Sequence, residues 1–135
     1  CSNLATINNL NKIGSLTATP LALGSGNTLM SATSISFSMP LSLLNLNGNG
    51  AGMISDLKAV RLLNASAGQW TGASPQITVN HTNMPTAALV QLFNDMAAQG
   101  SVVSKTINIT GATGTAGLTA PNRQIITNIG WTITG

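Results

Sequence analysis

The sequence predicts an α/β fold: short parallel strands stacked as an irregular solenoid, with helices and loops on the outer face and the helices mainly in the C-terminal half. Three observations predict it. Apolar-x-apolar pairs recur along the chain, at Leu16/Ala18, Ile35/Phe37, Val60/Leu62, Ile77/Val79, Ile107/Ile109 and Trp131/Ile133. The offsets between their first members are 19, 25, 17, 30 and 24 residues, averaging 23, inside the span of about 20–29 residues typical of leucine-rich-type repeats. Between the later pairs lie amphipathic segments of helix length, so the connections are too long for hairpins and suit right-handed crossovers between parallel strands.

The strands are justified by alternation. Apolar and polar residues alternate through each pair, which puts the two apolar side chains on one face. The flanking residues are β-branched and Thr-rich, most clearly in "SISFS" and "QITVN". "LSLLNLNGN" competes for a place: Leu41-x-x-Leu44-x-Leu46-x-x-Asn49 is the fullest match to the leucine-rich template in the chain. It is either an extra short strand or a replacement for the Ile35/Phe37 rung.

The helices are justified by period and punctuation. "MPTAALVQLFNDMAAQG" sets Leu89, Leu92, Phe93, Met96 and Ala97 on one face, with Pro85 in the first turn and Gly100 at the C-terminal cap. "APNRQIITNIG" repeats the plan, with Pro121 early, Ile125, Ile126 and Ile129 on one side, and Gly130 at the end. "GMISDLKA" is a third, shorter candidate. The whole is a single domain over 1–135, with loop-rich rungs over 1–75 and β-α-β-α-β capping rungs over 76–135. In such a stack no rung buries its apolar face alone, and its neighbour covers it.

Composition narrows the function. Asp56 and Asp95 are the only acids, and Lys12, Lys58, Arg61, Lys105 and Arg123 the only bases. Ser, Thr, Asn and Gly make up 59 of the 135 residues, an uncharged polar surface that suits an extracellular or virion setting. The five bases are scattered, whereas a nucleic-acid reader clusters them, so no nucleic-acid partner is expected. No apolar run approaches the ~20 residues of a membrane helix, so no membrane span is expected either. The sole cysteine, Cys1, has three readings: a lipoprotein's lipid-bearing residue, a fragment boundary, or a small core residue.

The sequence spells no reaction. His81, the only histidine, lies in the polar turn "NHTNMP" after the Gln76–Asn80 strand, and a triad needs it beside Asp56 or Asp95. Asp95 is expected on the polar side of its helix as a solvated charge. One His and one Cys offer no transition-metal spacing, and "GNGAG" and "GATGTAG" lack the Lys of a P-loop and read as turns. Catalytic, cofactor-binding and metal-binding residues are therefore none. What remains is surface. The residues between the paired apolar positions, Thr17, Ser36, Arg61, Thr78, Asn108 and Thr132, should line up as one polar ladder. That ladder is either a partner-binding face or an inert hydrated one. Trp70 in "GQWTGASP" is either an exposed anchor for a partner or tucked under its own loop.

The stretch from "TNMPTAAL" through "KTINITGATG" to the closing "GWTITG" resembles the final repeats of leucine-rich-like, BspA-type surface proteins, especially those of tailed-bacteriophage virion structural proteins. "CSNLATINNL" is similar to the C-x-x-L rung starts of the same proteins. The resemblance runs over residues 76–135. It implies a non-enzymatic module without cofactor, displayed on a tail, fibre, baseplate or capsid surface. Its partners would be other virion proteins, copies of itself, or a host-surface glycan or protein. The alternatives are a bacterial cell-surface adhesin or lipoprotein of the same architecture and, from another class, a small hydrolase using His81.

Overall fold

The structure, a computed structural model, describes residues 21–23, 34–37, 41–46, 57–63 and 70–135. The fold is mixed α/β, with seven strands and two helices among those residues. In chain order these are β1 (Leu21–Leu23), β2 (Ser34–Phe37), β3 (Leu44–Leu46), β4 (Ala59–Leu62), β5 (Ile77–Thr78), α1 (Thr86–Ala98), β6 (Lys105–Asn108), α2 (Ala120–Thr127) and β7 (Trp131–Thr134), with a 3-10 turn at Thr115–Gly117 before α2. Every described pairing is parallel.

The strands divide between two sheets. One has the order β1-β3-β5-β6-β7 and the other is the pair β2-β4. Chain order thus alternates. β1, β3, β5 and β6 are followed by β2, β4, α1 and α2 respectively, and these four followers are packed in sequence, with β4 against α1 and α1 against α2.

This allocation corrects the single ladder expected from the sequence. Ile35/Phe37 and Val60/Leu62 do neighbour each other in register, as Ile35↔Val60 and Phe37↔Leu62, but in the two-stranded sheet. "LSLLNLNGN" supplies β3 of the other sheet and does not replace the Ile35/Phe37 strand: both strands form. Within the five-stranded sheet the register runs Leu21, Leu44, Ile77, Ile107, Ile133, giving offsets of 23, 33, 30 and 26 residues. The last step is also a correction. Trp131 lies opposite Lys105, and Ile133 opposite Ile107, so the two Thr-Gly endings stand two residues out of step.

The core lies between the sheets and the helices. Leu44, Leu46, Ile77, Val79, Ile107, Ile109 and Trp131 enter it from one side, and Ile35, Phe37, Val60 and Leu62 from the other. On α1, Leu89, Leu92, Phe93 and Met96 are buried as their spacing predicts, and Ala97 is half-buried. Pro85 stands at the N-cap position, one residue before the first turn and without a side-chain cap, and Gly100 follows the end of α1 at φ +96°. α2 buries Ile126, with Ile125 and Ile129 half-buried against the core. A capping box starts it: the Asn122 N–H donates to Thr119 Oγ1, and the Thr119 N–H donates to Asn122 Oδ1. Gly130 ends α2 at φ +99°, where a Cβ would collide with the Val102 carbonyl. A glycine is therefore required there for two reasons.

Of the third helix candidate, "GMISDLKA", only Leu57–Ala59 are described. Leu57 and Lys58 belong to no helix or strand, and Ala59 begins β4. Cys1, the Leu16/Ala18 pair, Thr17 and Asp56 lie outside the described residues.

Candidate functional site

The expected polar ladder separates into rows on two sheets. Asn45, Thr78, Asn108 and Thr134 are in register across β3, β5, β6 and β7. Ser36 and Arg61 pair with each other on β2 and β4, and Thr132 pairs with Thr106. Thr132 is exposed, Ser36, Arg61 and Asn108 are half-buried, and Thr78 is buried. Asn108 is turned onto its own strand end, where its Oδ1 accepts from the Thr110 N–H. Asn45 and Thr134 were missed as members of the row, because alternation fixes a residue's face but not its neighbour in the next strand.

Arg61 and Asp95 form the one ion pair among the described residues. Arg61 Nε donates to Asp95 Oδ2 at 2.7 Å and Nη2 donates to Oδ1 at 3.0 Å, a two-pronged grip on the carboxylate. The Leu62 N–H donates to Oδ2 at 3.0 Å and Gln91 Nε2 to Oδ1 at 3.2 Å. Asp95 is only 8% exposed, which corrects its reading as a solvated charge. Burial pushes its carboxyl pKa up, but the hydrogen bonds from Arg61, Leu62 and Gln91 and the Arg61 charge outweigh that. The group is held below its ordinary value.

Trp70 is fully buried, which corrects its reading as an exposed anchor, and its partners lie at the end of α1 and on β7 instead of in its own loop. Its indole Nε1 donates to Gln99 Oε1 at 2.8 Å, and its ring meets Trp131 edge-on, with centroids 5.8 Å apart and planes at 76°. The chain before β5, the end of α1 and the start of β7 meet at this cluster. Gln76, also buried, was missed as well. Its amide accepts from the Thr106 N–H and donates to the Gly72 carbonyl, clamping β6 to the chain ahead of β5. No short-range signal marks it, since its partners lie 4 and 30 residues away.

His81 is exposed, at φ +54°, in the turn after β5. Its N–H donates to the Thr110 carbonyl, and its ring lies so near Gly111 that a Cβ there would clash with Nδ1. Asp95 is engaged by Arg61, Leu62 and Gln91, and no hydrogen bond joins it to His81. Among the described residues no group of three or more His, Cys, Asp or Glu side chains is placed to hold a metal ion, and no helix is long and apolar enough to cross a membrane.

Set against known protein families, curated proteins and solved structures, the chain matches none of them. Among the described residues the geometry offers a row of neutral hydrogen-bonding side chains, Asn45, Thr78, Asn108 and Thr134.

Proposed function

We propose that the chain is a solenoid and serves as a structural, surface-displayed module of a bacteriophage virion, on the tail, fibre, baseplate or capsid. The observation that carries this reading is the alternation of chain order. A strand of the five-stranded sheet is followed each time by an element of the opposite side, and the followers β2, β4, α1 and α2 pack in the same order as the strands they follow. This order supports a coil wound once per strand, in which each turn would be covered by the next.

A coil of this kind is built for presentation. Its core is continuous, and Asn45, Thr78, Asn108 and Thr134 run as a neutral row across the strands, with Thr134 exposed, Asn45 and Asn108 half-buried and Thr78 buried. The nearly uncharged composition and the resemblance of residues 76–135 to virion modules support the same reading. In it the chain acts without cofactor. Its partners are neighbouring virion proteins or copies of itself, with a host-surface glycan or protein as a further contact for the row.

Immunogold labelling tests it, with an antibody against this chain applied to purified phage particles and to the envelope of the host bacterium. Gold on a tail, fibre, baseplate or capsid supports the proposal. Gold confined to the bacterial envelope replaces it with a cell-surface adhesin or lipoprotein of the same architecture.

A further inference from the structure

We draw no further inference here: the strongest candidate, the pair of buried donors Gln99 Nε2 and Trp131 Nε1 beside Trp70, where the end of α1 meets β7, has no hydrogen-bond partner among the described residues, but it carries nothing, because neither nitrogen has surface open even to a water molecule and nothing in the structure shows an acceptor that the two would share.

Discussion

The two ends of the chain cover the back of the same sheet by different means. Behind β1 and β3 stand strands, β2 and β4, joined to each other by backbone hydrogen bonds; behind β5 and β6 stand helices, α1 and α2, joined by side-chain packing. A strand leaves half its backbone groups for a neighbour, but a helix spends its own internally. Where β4 meets α1, therefore, the outward N–H of Leu62 has no backbone carbonyl to turn to. Asp95 supplies the acceptor as a side chain, and Arg61 from the same strand completes the pair. The junction between strand backing and helix backing thus needs one polar substitute for a missing strand.

The largest effect should come from the helix-backed end. Trp70→Ala removes the indole that ties the chain before β5 to Gln99 and Trp131, and should cost about 3–5 kcal/mol, as large aromatic truncations in a core do. Urea unfolding followed by the fluorescence of the remaining Trp131 measures it. A cost below about 1 kcal/mol would mean that the helix-backed half is held elsewhere.

The junction should come next. Asp95→Ala leaves the Leu62 N–H without its acceptor and should cost about 1–3 kcal/mol, whereas Arg61→Ala should cost less, because its side chain is 39% exposed against 9% for Asp95. The pH dependence follows from the lowered carboxyl. Its folded pKa lies below the unfolded value of about 3.9, so its contribution is complete above that value and fades as the pH falls through the folded one. With Asp56 the only other side-chain acid, Asp95→Asn should visibly flatten the loss of stability between about pH 5 and pH 2. An unchanged acid limb in urea titrations would show that the pair does not hold the junction.

The smallest effect should come from α2. Thr119→Ala removes the hydroxyl that accepts from Asn122 N–H and should cost about 1 kcal/mol. Amide exchange should locate the loss in α2 and β7 and leave the β2-β4 sheet unaffected.

Both described helices were legible, because each carries its period, an early proline and a closing glycine within one short stretch. The strands were legible as apolar pairs too. Their assignment to sheets was not, since Ile35/Phe37 and Ile77/Val79 present the same alternation although they lie in different sheets. The β7 register was misread for a related reason: a slip of two residues keeps every side chain on its face, and the repeated Thr-Gly text favoured the wrong alignment. Asp95 was read as solvated because its partner Arg61 is 34 residues away. The core position of Trp70 leaves no local mark, because Gln99 is 29 residues away and Trp131 lies in the last strand.

The offsets along the five-stranded sheet carry one more consequence. Neighbouring strands are separated by a fixed advance of about 4.8 Å, yet the chain spends 23, 33, 30 and 26 residues on successive advances. The spacing of the sheet is therefore independent of the number of residues between its strands. A connection can gain or lose residues without altering the distance from one strand to the next, so segments of unequal length share one evenly spaced sheet.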